Sequence, residues 1–328
     1  MNSNSNAQYP QVLLLASRYD LTCDYIVSRL RGRSISYFRL NTEDLGSSRI
    51  ELDPARRILI VDQNSQRYIV TPEHLRSVLF RRPVFLRDYG ESSLSPVDQF
   101  ARIQWTTFVR NLMLFKEAFW VNDPTATYRA EHKAVQLSVA VDVGFTVPET
   151  RVSNSPHPHL LGDHHKDVAI KGLDTVLMRS NDLEMFGFTT FENTKNLEPY
   201  AWRTAPATFQ AALTNKLDIR VTVVEEYVFA AAITVEGKPV SDDWRLHKRE
   251  TQFSRLDLPE EIVSRCRTFV KELGLVFGAI DLALCDNEYY FLEINPTGEW
   301  AWLVEAARLP IDDAIVESLL KVVLSNGQ

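Results

Sequence analysis

Cysteine is scarce in this sequence: three residues in 328, at Cys23, Cys266 and Cys285. An odd number at scattered positions excludes a disulfide framework, and no pair has metal-ligand spacing, so the chain reads as one for a reducing compartment. Glycine is also sparse. Between Lys166 and Leu213 only Gly172 and Gly187 occur, which leaves no glycine-rich loop to cradle phosphates there. No stretch approaches the roughly 18 consecutive apolar residues of a membrane helix. The first ten residues are polar and lack the apolar core of a secretory signal. Excess basic charge is missing too: 36 Lys+Arg against 43 Asp+Glu give a formal net charge of −7. With no Lys/Arg run, a nucleic-acid partner is disfavoured. No Ser/His/Asp or Cys/His set stands out as a covalent nucleophile. Together these absences predict a soluble cytoplasmic protein that acts on neither nucleic acid nor membrane.

What is present is ordinary globular material. The hydrophobic fraction is 45% and the charged fraction 24%, enough for a normal core, and the length predicts two or three lobes. Val12–Ala16 reads as a buried strand, Leu21–Arg31 as an amphipathic helix and Ser36–Leu40 as a second strand, a βαβ opening of a parallel sheet. Ile50–Leu52, Ile58–Val61 and Tyr68–Val70 read as meander strands, and Val78–Phe80 as a strand ending in Arg81-Arg82-Pro83. Ser95 as N-cap with Pro96 behind it starts a helix, expected to run to about Phe119 with Phe100, Ile103, Trp105, Phe108, Leu112 and Phe115 as apolar positions. A helix over Arg129–Val143 follows, stopped by Gly144. Ser153–His165, broken by prolines and carrying His157, His159, His164 and His165, reads as a solvated loop rather than a metal site.

The second half is strand-rich: Val168–Lys171, Val176–Arg179, Glu184–Phe191, Ile219–Val224 and Val228–Val235. A helix opens at Leu258-Pro259-Glu260-Glu261, where acidic residues suit the N-terminal dipole. Val276–Leu284 and Tyr289–Ile294 read as antiparallel strands joined at Asp286-Asn287. Side chains alternate along a strand, so Glu293 and Asn295 share a face, with Leu292 and Ile294 toward the core. A hairpin at Asp286-Asn287 brings Asp281 across from them. Two carboxylates and an amide oxygen make a hard-oxygen site suited to Mg²⁺ shared with nucleotide phosphates. The alternative is a pair of solvated carboxylates on an exposed face.

Asp281, followed by Glu293-Ile294-Asn295-Pro296, resembles the metal motif of ATP-grasp ligases, RimK-like ones in particular. The continuation Thr297-Gly298-Glu299-Trp300-Ala301-Trp302-Leu303 is similar to the end of the microviridin-type, or graspetide, ligases, which install side-chain esters and amides in ribosomal peptides. Phe80-Arg81-Arg82-Pro83, Val121-Asn122-Asp123-Pro124, His132-Lys133 through Val147–Thr150, Leu217–Val224 and Asp243-Trp244-Arg245 extend the likeness over most of the chain. The resemblance implies an α/β (α+β) ATP-grasp fold with three parts: an N-terminal α/β pre-ATP-grasp lobe (1–122), a small central lobe (123–210), and a C-terminal sheet-based lobe with the metal site (211–328).

It also implies roles. Lys133 and Lys171 would contact ATP phosphates, Gln210, Ala211, Ala212 and Leu213 would receive adenine at a hinge, and Asp218 would bind the ribose hydroxyls. Arg220 and Arg245 would act on phosphate and on an acyl-phosphate intermediate, where an arginine fork suits planar phosphoryl oxygens. Asp281, Glu293 and Asn295 would hold two Mg²⁺ ions. From the residues alone, Arg220 either snorkels from its strand or enters the cleft, and Arg245 either serves the site or stacks on Trp244. Arg81 and Arg82 either orient an acidic peptide or pair with surface carboxylates, and Trp300 and Trp302 are either core or substrate wall. The implied activity is ATP-dependent, ADP-forming ligation of Asp/Glu side chains in a precursor peptide, bound through leader and core by a homodimer. Alternatives are a RimK-like ligase that adds an amino acid to a carboxylate, and a non-catalytic nucleotide- or peptide-binding protein.

Overall fold

A computed structural model describes residues 7–81, 95–162, 165–173, 177–180, 183–186, 189–240, 244–247 and 249–325. The N-terminal part is built on a parallel sheet in the order Tyr37–Asn41, Val12–Ala16, Ser77–Phe80, Phe119–Val121. Val12–Ala16 is buried on both faces, as expected of a central parallel strand. Leu13 and Leu15 enter one core with Phe38, Val78 and Phe115, while Val12 and Leu14 enter another. Beside it lies a second four-stranded sheet in which Arg49–Asp53, Ile58–Gln63 and Gln66–Val70 form the expected antiparallel meander.

The helix at Ser95 starts as its sequence predicts: the Ser95 hydroxyl accepts from the Asp98 amide, and Pro96 fills the first turn. It ends earlier than expected, at Asn111, followed by a short 3₁₀ turn over Leu112–Leu114. Phe119, assigned to that helix from sequence, instead opens a strand. Phe100 and Ile103 remain 64% and 62% exposed, whereas Trp120 and Val121 become buried by pairing at the sheet edge. Burial of the latter pair outweighs continuation of the helical period. The expected single helix over Arg129–Val143 is two, Pro124–Ala130 and Lys133–Asp142. The first is capped by the Asp123 carboxylate, which accepts from the Thr125 and Ala126 amides. Gly144 terminates the second at φ +88°, a conformation glycine adopts without steric cost.

The central sheet is antiparallel, in the order Thr190–Asn193, Asp167–Lys171, Ala207–Ala211, Thr150–Ser153, next to the hairpin Leu177–Ser180/Leu183–Phe186. The strand expected over Glu184–Phe191 is thus divided between two sheets. The C-terminal sheet has five antiparallel strands: Thr251–Arg255, Tyr227–Val235, Leu217–Val224, Phe277–Cys285 and Glu288–Asn295. Its last hairpin turns at Asp286-Asn287, both at positive φ (49° and 64°), the backbone that a tight two-residue hairpin requires.

One face of this sheet packs on the helix Glu260–Glu272 and on Ala130, Ala140 and Phe145. The helices following Asp123, which fall in the interval expected for the central lobe, therefore share the C-terminal core. The helix Ile311–Ser325 returns to the N-terminal lobe: Ile315, Val316 and Leu319 join Val12, Ile26 and Leu30 in one cluster. Arg29 pairs there with Asp312 at 2.7 Å. Among the described residues no helix is long and apolar enough to cross a membrane.

Candidate active site

The central and C-terminal sheets meet at a cavity of about 330 Å³, within the size range of small-molecule sites. Its organising feature is a row across three strands. Arg220 on Leu217–Val224 lies opposite Asp281 on Phe277–Cys285, which lies opposite Glu293 on Glu288–Asn295. The three side chains line the same cavity. Arg220 Nη1 donates to Asp281 Oδ1 at 2.8 Å, and Lys133 Nζ donates to Glu293 Oε2 at 2.5 Å. Each carboxylate of the expected metal pair is thus paired with a cation. The Nε of Arg220 is buried with no partner among the described residues, and the guanidinium carbon sits 6.0 Å from the Trp302 ring centroid. Arg220 therefore enters the cleft rather than snorkelling away.

A register shift between Asp281 and Leu282 corrects the expected facing of Leu292. Asp281 pairs with Glu293, but Leu282 pairs with Phe291, so Leu292 is the extra residue of a β-bulge. Phe291 takes the core position and Leu292 lines the cavity. Bulges re-aim side chains in this way beside functional sites. Asn295 lies opposite Ala279 on the same strand pair, and its Oδ1 accepts from the Thr297 amide at 3.0 Å and hydroxyl at 3.3 Å.

On the other wall, Lys171 Nζ donates to Gln210 Oε1 at 2.8 Å, and Gln210 Nε2 donates to Thr150 Oγ1 at 3.0 Å. Lys171, Gln210, Ala211, Leu213 and Asp218 all line the cavity. The Ala211 and Ala212 amides are engaged by the Glu149 and Asp167 carbonyls. Asp218 is paired at 2.5 Å with Lys216, both side chains being nearly buried. Sequence reading passed over Lys216 because it sits in the irregular stretch between two strands, where a lysine carries no periodic signal. Trp244, Leu292 and Glu299 are further lining residues that it did not assign to the site.

The two tryptophans separate cleanly. Trp300 is 1% exposed and belongs to the core, whereas Trp302 lines the cavity with its ring 4.1 Å from that of Phe253. Arg81, 7% exposed in its side chain, pairs with Asp20 at 2.9 Å and reaches the Gly298 carbonyl at 3.4 Å. A peptide carboxylate would have to compete with Asp20 for it. Burial pushes the Asp20 carboxyl up, but the Arg81 charge and hydrogen bonds from Thr22, Arg81 and the Cys23 amide outweigh burial and hold it below the ordinary range. Arg82 lies outside the described residues. Arg245 belongs to the 3₁₀ segment Trp244–His247, and its side chain is likewise outside the description. His165 pairs with Glu149 at 3.4 Å. Cys23, Cys266 and Cys285 are free and buried, and burial pushes the Cys23 and Cys266 thiols up to about 12.

Two antiparallel sheets closing on a cleft, behind a parallel N-terminal lobe and with the acidic hairpin on the cleft face, make the ATP-grasp fold. Solved structures share it over nearly the whole chain. The macrocyclase MdnC from Microcystis aeruginosa MRC, bound with its precursor peptide MdnA, is 24% identical, with 94% of this chain and 99% of that one covered at a TM-score of 0.79. A RiPP-associated ATP-grasp ligase from Chryseobacterium gregarium, in complex with ADP and a leader and core peptide, is 22% identical, covering 94% and 96% at 0.79. The macrocyclase MdnB from the same Microcystis is 26% identical, covering 95% and 100% at 0.74. No protein-family model and no curated protein matches the sequence.

Proposed function

We propose that this chain is an ATP-dependent ligase that activates Asp or Glu side chains of a ribosomal precursor peptide and closes ester or amide macrocycles. The observation that carries the proposal is the Arg220–Asp281–Glu293 row facing a cavity shared with Lys171 and Asp218. The fold supports it, since MdnC and MdnB are macrocyclases of the same architecture.

The residues fit magnesium. Asp281, Glu293 and Asn295 offer carboxylate and amide oxygens, the donors that hard divalent cations select, and they would hold the two Mg²⁺ ions. When bound, the metal neutralises phosphate charge as a Lewis acid. The chain's own groups then have defined tasks. Asp218, fixed by Lys216, would accept from the ribose hydroxyls, and the Gln210–Leu213 hinge would receive adenine. Lys133 and Lys171 would neutralise phosphate oxygens. A peptide carboxylate attacks the γ-phosphorus, the bond to the β–γ bridging oxygen breaks, and ADP leaves. Arg220, and Arg245 with it, would stabilise the charge on the transferring group and on the acyl phosphate. A hydroxyl or amine of the peptide then attacks the acyl carbon, phosphate departs with the bonding electrons, and the nucleophile's proton passes to solvent. Positioning and electrostatics suffice for such a reaction, and no protein nucleophile is needed.

The reading includes a homodimer, for which exposed Val97, Phe100 and Ile103 supply apolar surface, and a cytoplasmic setting, which suits three unpaired thiols. The test is to incubate the protein with ATP, Mg²⁺ and the short peptides encoded beside its gene and record peptide mass. Loss of one water per ring, abolished by Glu293→Ala or by chelation, is expected. A gain of an amino-acid residue would point to RimK-like chemistry, and binding of ATP and peptide without turnover would overturn the catalytic reading.

A further inference from the structure

The strand Glu288–Asn295 is the outer edge of its sheet. On its outward side an isolated parallel bridge joins Thr146 to Tyr290, the Thr146 carbonyl accepting from the Phe291 amide at 2.9 Å. Beyond it, among the described residues, no strand pairs with the segment at Ile294. Two buried amides from the N-terminal half of the chain occupy that place. Gln136, 3% exposed, donates through Nε2 to the Ile294 carbonyl at 2.9 Å and accepts through Oε1 from the Ile294 amide at 3.1 Å. It imitates the missing strand at the residue between Glu293 and Asn295. Its Nε2 also donates to the Ala130 carbonyl at 2.7 Å, which anchors the amide to the helix pair below.

Asn122, 1% exposed, does the same one step further along. Its Nδ2 donates to the Pro296 and Phe277 carbonyls, and its Oδ1 accepts from the Val276 and Phe277 amides, all at 2.8 Å. Asn122 directly follows the last strand of the N-terminal parallel sheet. Arg81 reaches the next alternate carbonyl, at Gly298. Beneath that turn there is no slack: a Cβ added at Gly298 would lie 2.5 Å from the Ala279 Cβ.

We propose that Gln136 and Asn122 are positioning residues for the metal-binding oxygens of Glu293 and Asn295. They clamp the backbone on both sides of Asn295, and Asn122 ties it to the N-terminal lobe. Neither amide touches the cavity, and every hydrogen-bonding atom of each is spent on backbone. A clamp of this kind acts on where ligand oxygens point. The inference rests on the metal assignment above, and its test keeps the two apart.

Gln136→Met keeps the side chain's length and removes its hydrogen bonds, and Mn²⁺ binding with ADP present is then followed by electron paramagnetic resonance. Residues that orient metal ligands typically carry 10–100-fold of affinity, so the variant is expected to bind Mn²⁺ roughly tenfold more weakly, with ADP affinity in chelator unchanged. Hydrogen exchange is expected to rise in a peptide spanning 288–298 and to stay unchanged in one spanning 217–224. Gln136→Glu, which retains the acceptor for the Ile294 amide, is expected to fall between wild type and Gln136→Met; it serves alone if the methionine variant does not fold. Mn²⁺ affinity within twofold of wild type in a folded variant with faster exchange at 288–298 overturns the clamp. Absence of nucleotide-dependent Mn²⁺ binding in the wild-type protein overturns the metal assignment itself.

Discussion

Replacing Arg220 by methionine removes the cation at one end of the Arg220–Asp281–Glu293 row while keeping most of its apolar stem. Two effects separate. On stability, the lost partner is a charge-assisted hydrogen bond of 2.8 Å whose side chains are 12% and 27% exposed. A fully buried pair broken on one side costs about 3–5 kcal/mol. Water still reaches Asp281, and the substitution also deletes a buried Nε that has no partner among the described residues, so about 1–2 kcal/mol is the expected loss. On catalysis, the proposed reaction assigns the Arg220 guanidinium to the charge that develops on the transferring phosphoryl group. Removal of one such preorganised donor lowers kcat by about 10²–10³-fold. The assay is coupled ADP release in the presence of the cyclisable peptide, with peptide mass as a second readout and the denaturation midpoint as a control for folding. Arg220→Lys is expected to recover part of kcat, since it returns the charge without the planar fork. A methionine variant with kcat within threefold of wild type would refute the assignment. A raised KM for ATP with unchanged kcat would reduce Arg220 to ground-state binding.

Lys216→Met is expected to weaken ATP-analogue binding by roughly tenfold, about 1.4 kcal/mol, because Asp218 loses the partner that fixes it at 2.5 Å; unchanged affinity in calorimetry would exclude that role. Asp20→Asn keeps the helix cap but breaks the buried pair with Arg81. Asp20 titrates below its ordinary value in the fold, so its contribution is present above the unfolded value of about 3.9 and is lost as pH falls through the folded one. The stability gap between wild type and Asp20→Asn should therefore be open at pH 7 and narrow as pH falls below about 3.9 toward the lower folded value; a gap independent of pH contradicts the ion-pair account.

Much of the cleft was legible because its side chains sit on strands that alternate in sequence. Apolar residues flank Arg220, Asp281 and Glu293, and the Asp286-Asn287 turn sets their register. What alternation cannot carry is a one-residue irregularity. Leu292 looks like a core residue in any strict period-two reading, and only the bulge sends it to the cavity. Long-range pairing is equally invisible. Nothing near Arg81 foretells Asp20, and nothing near Gln136 foretells the backbone of Ile294. Phe119 was misread because a helical apolar pattern extends across the point where the chain turns to reach the sheet edge. Lys216 escaped notice for lack of any period at all.

The helix Ile311–Ser325 has a consequence for biosynthesis. Its apolar face shares a core with Val12, Ile26 and Leu30, which precede it by most of the described chain. At roughly 5–20 residues per second, the N-terminal sheet, complete at Val121, waits on the order of 10–40 s for the helix that begins at Ile311 to be made. During that interval the face later occupied by Ile315, Val316 and Leu319 is open to chaperones and to neighbouring nascent chains. The parallel-sheet lobe is thus translated before the two sheets of the cleft but sealed after them.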